Sequence, residues 1–112
     1  MSGDGNTLVA ASPNEDSAGQ GINNSKPEDD SASEAGAVFV WTRTGTTWSQ
    51  LAYVKAANTR AFDEFGGSVA LSRDGKLLLV GAKGEDSNAT GFGGNEKDNS
   101  LAESGAAFLF QR

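Results

Sequence analysis

One acidic loop has the residue types of a calcium site. The run Asp86-Ser87-Asn88-Ala89-Thr90-Gly91 places side-chain oxygens at its first, third and fifth positions and a glycine at its sixth. Calcium loops use this spacing because alternate side chains converge on one cation and glycine permits the sharp bend. Lys97 stands where a bidentate glutamate belongs, and an aspartate follows it. The pattern predicts a Ca²⁺ site formed by Asp86, Asn88, Thr90 and Asp98.

The same loop has other interpretations. Asp and Asn side chains also form turns by accepting hydrogen bonds from the nearby backbone. The related run in the first half has Asp16, Ala18 and Gln20 at the three ligand positions, so two of its ligands are degraded. Asn88-Ala89-Thr90 fits the N-glycosylation sequon as well, but the sequence gives no sign of a eukaryotic secretory route. The sequence leaves the calcium loop and the hydrogen-bonded turn open.

Catalytic chemistry has little support in this sequence. Glu15-Asp16 and Glu85-Asp86 are carboxylate pairs of the kind used in glycoside hydrolysis. Neighbouring residues of an extended chain point to opposite sides, so we interpret them as solvated loop charges. The chain has no histidine and no cysteine, which removes the usual general base, the thiol nucleophile and the soft-metal ligands. We predict that the protein is not an enzyme.

Aromatic residues are candidates for a sugar-stacking surface. They are Trp41, Trp48, Tyr53 and Phe62. Trp41 lies within an apolar run and is interpreted as core, whereas Trp48 follows a turn and is open to either role. Net charge restricts the partners further: the chain carries −6 and has no basic patch to neutralise phosphates, which argues against nucleic acid. No apolar run has membrane-spanning length.

The elements that position these residues repeat along the chain. Ser2–Gly21 returns as Ser72–Gly91, 70 residues later, and Ser31–Arg43 returns as Ser100–Arg112 with an offset of 69. Self-similarity with a long period is typical of modular arrays. The chain holds one full repeat and a little over half of another. Its 112 residues allow at most one small domain.

Short apolar runs bounded by turn residues predict six strands and no helix. The predicted strands are Thr7–Ala11, Ala37–Thr42, Ser49–Lys55, Gly67–Leu71, Leu77–Ala82 and Ala106–Gln111. Ser72–Lys76 carries an Asp-Gly hairpin signal, and Pro13–Ala35 and Lys83–Ser104 are long polar loops. Two runs are apolar on both faces, which favours sheets stacked face on face. The residues predicted to be buried are Val38, Phe39, Val40, Trp41, Leu78, Val80, Phe108 and Phe110.

The stretch Glu64–Ser87 resembles the FG-GAP repeat of integrin-α-type β-propellers. Phe65-Gly66 matches the FG element and Gly81-Ala82 the first two residues of GAP, with Lys83 in place of proline. The long polar loop and the strand after it resemble the bacterial secreted form of the repeat. The resemblance implies four-stranded blades A to D: residues 1–55 form a partial blade B-C-D and residues 56–112 a partial blade A-B-C. The family's calcium loop in the A–B turn is not matched by Ser72–Gly75 and is not carried over.

The resemblance also implies a function and a location. It implies a non-enzymatic module for adhesion to, or interaction with, a protein or glycan, at the cell surface or outside the cell. The alternative is a purely structural building block that self-assembles and has no ligand of its own, and an enzyme is the third reading. Two partial blades expose apolar faces, which predicts a closed homo-oligomer of three chains with six blades or four chains with eight. An excised fragment, stable only in its parent, is the alternative to the oligomer.

Overall fold

The computed structural model describes residues 1–23, 29–88, 93–95 and 98–112. In these residues it shows six strands, no helix, and two three-stranded antiparallel sheets. Sheet 1 contains β1 (Thr7–Ser12), β2 (Ala37–Thr44) and β3 (Thr47–Val54), in that order. Sheet 2 contains β4 (Phe65–Leu71), β5 (Leu77–Ala82) and β6 (Ala106–Gln111). The all-β prediction with two incomplete blades is confirmed, and no strand end differs from its prediction by more than two residues.

The tight turns follow from the Ser-x-Asp-Gly sequence. Before β5, Ser72 Oγ accepts the Leu77 amide at 2.9 Å and Asp74 Oδ1 accepts the Lys76 amide at 3.1 Å. Gly75 adopts φ 72°, which favours glycine because it has no Cβ. The copy before β1 forms the same turn, with Gly5 at φ 71° and the Ser2 hydroxyl accepting the Thr7 amide. The repeated sequence therefore gives a repeated backbone.

The core lies between the two sheets. We call the side of each sheet that faces the other its inner face and the opposite side its outer face. Side chains alternate along a strand, so Val38 and Val40 of β2 share the inner face of sheet 1. They meet the inner face of sheet 2, where Leu78 and Val80 are buried. The buried core cluster is Val38, Val40, Val54, Ala56, Phe65, Leu78, Val80 and Ala82.

Four aromatic side chains predicted to be buried are only half-buried. They are Phe39, Trp41, Phe108 and Phe110. By alternation, the first two lie on the outer face of sheet 1. The other two lie on the inner face of sheet 2, with ring centroids 5.4 and 6.1 Å from that of Phe65. Both residues belong to β6. The strand of sheet 2 nearest to sheet 1 is β4, so sheet 1 covers the side chains of β6 less completely.

A close backbone contact joins the sheets. The amide of Phe65 at the start of β4 donates to the carbonyl of Ala35 at 3.0 Å, and the Glu64 amide donates to Glu34 at the same distance. Gly36, the residue after Ala35, adopts φ 84°, and a Cβ built on it would lie 2.1 Å from the Phe65 carbonyl oxygen. Only glycine permits this approach. Phe65 itself is fully buried.

Candidate functional site

The predicted calcium loop is closed by hydrogen bonds from its own backbone. Asp86 Oδ1 accepts the amide of Glu103 at 2.7 Å. Asp98 Oδ2 accepts the amide of Asn88 at 3.2 Å, and its Oδ1 accepts the Ser100 amide at 3.1 Å. The structure thus brings Asp86, Asn88 and Asp98 into one loop, whereas Thr90 lies outside the described residues.

The first long loop repeats this arrangement. Asp16 Oδ1 accepts the amide of Glu34 at 2.7 Å, and Asp29 accepts the amides of Ala18 and Ser31 at 3.0 and 3.1 Å. Asp29 is the counterpart of Asp98, a role that the sequence analysis missed. The signal for it was the shared spacing to a serine two residues later, Asp29 to Ser31 and Asp98 to Ser100.

Hydrogen bonds to these carboxylates stabilise their charged form. Those from the Ala18 amide and from Ser31 lower the pKa of Asp29, and those from Ser100 and the Asn88 amide lower the pKa of Asp98. In the second loop, the carboxylate oxygens of Asp86 and Asp98 that would bind a cation therefore also hold the loop together. Within the described part of the chain, no group of three or more acidic side chains is placed to hold a metal ion. Calcium binding by Asp86, Asn88, Thr90 and Asp98 stays a prediction.

A buried ion pair anchors the first loop. Lys55 follows β3 and is fully buried, and its Nζ lies 2.6 Å from Oε2 of Glu15. The same oxygen accepts the Ser17 hydroxyl at 3.0 Å, and that hydroxyl lies 2.8 Å from the Tyr53 hydroxyl. Burial raises the pKa of Glu15, but hydrogen bonds from Lys55, Tyr53 and Ser17 outweigh it, so the pKa lies below its ordinary value.

The second loop is anchored differently. Glu85, which corresponds to Glu15, is 2% exposed. Its Oε1 accepts the Asn58 side-chain amide at 3.0 Å, and its Oε2 accepts the Ser87 hydroxyl at 2.8 Å. The two glutamates thus have separate partners, and each adjacent aspartate closes its own loop. The interpretation of these residues as solvated loop charges is therefore wrong for Glu85, whose side chain is buried and hydrogen-bonded.

Asp63 is a buried carboxylate in the connection between β3 and β4. Its side chain accepts the Arg60 amide at 2.8 Å, and its carbonyl accepts the amide of Gly84 at 3.1 Å. Burial, together with the negative charges of Glu85 and Asp86, raises the pKa of Asp63 to about 6. The connection therefore places an acid that titrates near neutrality against the start of the second loop.

The candidate aromatic residues do not form one stacking surface. Tyr53 is buried, with its ring centroid 5.0 Å from that of Phe39. Trp48 lies under the guanidinium of Arg43, 5.7 Å from its ring centroid. Phe62 is 60% exposed in the connection between the sheets and has a φ of 67°, which is rare for a bulky residue. Its amide donates to the Ser33 carbonyl at 2.8 Å, so the first loop holds this backbone in place.

Comparison with models of known protein families shows to which family the chain belongs. The model of the FG-GAP repeat matches residues 48–110, more than half of the chain. The chain belongs to the FG-GAP repeat family. The resemblance seen in the sequence is thereby confirmed. None of the curated proteins and none of the solved structures matches the chain.

The matched FG-GAP unit crosses from one sheet to the other. It begins in β3 of sheet 1 and continues through β4 and β5 to β6 of sheet 2. Its FG element is Phe65-Gly66, the dipeptide that docks on sheet 1. FG-GAP repeats form β-propeller blades and are generally non-enzymatic. Among the described residues there is no helix long and apolar enough to cross a membrane.

We predict that Lys55→Met lowers the free energy of unfolding by about 3 kcal/mol, because it leaves the Glu15 carboxylate partly buried without its cation. Urea denaturation measures the loss. The double variant Lys55→Met/Glu15→Gln should recover much of it. Lys83→Met is the matched control, because Lys83 pairs with Glu64 at 2.9 Å but is 74% exposed. That control should cost less than about 1 kcal/mol. Equal losses for Lys55→Met and the double variant would contradict the prediction.

We predict that Asp63→Asn stabilises the fold near neutral pH. The folded-state pKa of about 6 exceeds the ordinary 3.8, so the folded chain binds more protons than the unfolded chain between these values. The contribution of Asp63 to stability therefore falls as pH rises from about 4 to about 6. Asparagine keeps an acceptor for the Arg60 amide without the charge.

Thermal melts across this range measure the effect. Asp63→Asn should gain Tm over the parent as pH rises and lose the gain near pH 4. Asp30→Asn, at an exposed position, controls for the change in net charge. Parallel pH profiles for the parent and Asp63→Asn would contradict the role assigned to Asp63.

Proposed function

We propose that this chain is a non-enzymatic structural module of a β-propeller, which acts by stacking its sheets on further FG-GAP repeats. The observation that carries this proposal is the equivalence of its faces. The repeat relates Val9 and Val40 on the inner face of sheet 1 to Leu79 and Leu109 on the outer face of sheet 2. The outer face of sheet 2 is thus a second copy of a surface that already packs against a sheet.

The exposed apolar residues support the stacking. Leu79 and Leu109 are 46% and 59% exposed, and their side chains are neighbours because the residues pair across β5 and β6. Leu77 on the same face is 40% exposed. Large side chains gathered on one face are typical of surfaces that associate. These leucines therefore support a partner surface on the outer face of sheet 2.

The outer face of sheet 1 provides the complementary surface. Leu8, Ala10, Phe39 and Trp41 lie there. Their counterparts on the inner face of sheet 2 are Leu78, Val80, Phe108 and Phe110. Packing the outer face of sheet 1 on the outer face of sheet 2 from another chain would repeat the contact inside each chain. Such a head-to-tail contact gives a ring when its rotation closes. Three chains supply six blades and four chains supply eight, which supports the predicted homo-oligomer.

Adhesion to a protein or glycan is the second candidate function. The described parts of both long loops lie beside the connection between the sheets: the Phe62 amide bonds to Ser33 of the first loop, and the Gly84 amide of the second bonds to Asp63. The exposed Phe62 ring lies next to two acidic loops that hydrogen bonds hold in place. This arrangement favours a ligand-binding surface there, since rigid scaffolds carry recognition on loops. FG-GAP repeats are typical of extracellular proteins. A location outside the cell or at its surface belongs to this proposal.

Light scattering tests the stacking. We expect a discrete species with the mass of three or four 11.5-kDa chains. Leu79→Glu/Leu109→Glu should give monomers, because charges at the centre of the face would be buried unpaired. Ile22→Glu is the control, since Ile22 is 50% exposed but lies in the first loop. A well-folded parent monomer at micromolar concentration would refute the homo-oligomer.

A further inference from the structure

One segment completes the first repeat. We call residues 47–71 the β3–β4 segment: it comprises β3, the connection and β4. Strand β3 pairs with β2 along its length, Lys55 reaches Glu15, and Phe65-Gly66 lies against Gly36. The first repeat therefore has a receiving surface, made of β1, β2 and the loop between them, and this segment fills it.

The second repeat carries the same receiving surface. By the repeat, Gly81, Gly105, Ala106 and Ala107 correspond to Ala11, Gly36, Ala37 and Val38. The first-repeat residues hold the FG element: a Cβ on Gly66 would lie 3.1 Å from the Ala37 carbonyl and 3.2 Å from side-chain carbons of Ala11 and Val38. The second-repeat residues instead line an open cavity of about 540 Å³. We call this cavity the seat, because it lies where an FG element would dock on the second repeat.

Gly105 shows the seat most directly. Its φ is 75°, close to the 84° of Gly36, and its amide donates to the Glu85 carbonyl as Gly36 donates to Glu15. A Cβ on Gly36 would lie 2.1 Å from the Phe65 carbonyl oxygen, whereas the nearest atom to a Cβ on Gly105 lies 3.6 Å away. The backbone is thus shaped for close approach at both glycines, and another chain segment approaches at Gly36.

Apolar side chains are more exposed in the second repeat than their counterparts in the first repeat. Val40 is 9% exposed and its counterpart Leu109 is 59% exposed. Ala32 is 7% exposed and its counterpart Leu101 is 51% exposed. The larger apolar side chain is the more exposed member of each pair. Covering it would remove apolar area from water, which favours binding.

Charge complementarity identifies what the seat accepts. Glu15 holds the lysine that follows β3. Glu85 is 2% exposed, and no lysine or arginine among the described residues pairs with it. A β3–β4 segment placed on the second repeat as on the first would bring its Lys55 to Glu85. A buried carboxylate favours a partner with a cation at this position.

The open surface of the second repeat matches one kind of occupant. Residues 1–112 contain two receiving surfaces, and residues 47–71 fill the first. We propose that the second repeat binds a β3–β4 segment carried by a further FG-GAP repeat. This inference rests on the proposed stacking of FG-GAP repeats and names the contact that completes it.

A peptide of residues 44–71 tests the inference. It begins after Arg43, the counterpart of Arg112, and carries the whole segment. Titration of the labelled peptide with the full chain, followed by fluorescence anisotropy, should show saturable binding of one peptide per chain. Peptides with Phe65→Ala or Lys55→Met should bind at least about tenfold more weakly. These variants leave the receiving chain unchanged, so its folding does not enter the comparison.

Gly105→Ala in the receiving chain locates the site. It should weaken binding at least about tenfold, because its Cβ would meet the carbonyl of the docked Phe65. Circular dichroism checks that this variant folds. Binding that is equal for the parent and Gly105→Ala shows exchange at the first repeat or nonspecific association, and overturns the proposal, as does no binding at millimolar peptide. Light scattering on the same samples separates the two ideas, since the peptide can bind whether or not the chains form a ring.

Discussion

The structure depends on one close contact between backbones. At Gly36 the end of the first loop runs beside the start of β4, and hydrogen bonds from Glu64 and Phe65 hold the two segments together. A side chain at residue 36 would occupy the position of the Phe65 carbonyl. This contact fixes where β4 meets sheet 1, and so fixes which residues of the two inner faces become core. The FG element is therefore a structural joint between successive blades.

The loops that lead to this joint are held by polar contacts whose geometry the repeat supplies twice. In each loop one aspartate accepts a hydrogen bond from an amide at the far end of the loop. The glutamate that precedes it accepts a hydrogen bond from a side chain that follows β3. The anchors differ because they come from different segments, Lys55 for Glu15 and Asn58 for Glu85. The loop carboxylates thus have a structural role whether or not a cation also binds. That role accounts for why acidic residues recur at these positions.

The sequence predicted most of the architecture, because strands and tight turns are local. The apolar runs located all six strands, and the Asp-Gly sequence located the turn that Gly75 completes. The Lys55–Glu15 pair was missed, since its members are 40 residues apart and nothing local marks a lysine for burial. The half-burial of Trp41 was missed as well. An apolar run shows that both faces of a strand are suited to burial, but it does not show which face is buried in this chain. Asp63 looked like an ordinary loop aspartate until the fold placed Glu85 and Asp86 beside it.

The central claim is that the joint at Gly36 is occupied and that its copy at Gly105 is open. Urea denaturation of Gly36→Ala and Gly105→Ala tests it most directly. Both glycines have positive φ, so both variants share the cost of placing an L-residue in the left-handed region, about 1–2 kcal/mol. The account predicts that Gly36→Ala loses at least about 2 kcal/mol more than Gly105→Ala, because only its Cβ meets the Phe65 carbonyl. Equal losses for the two variants would contradict the account.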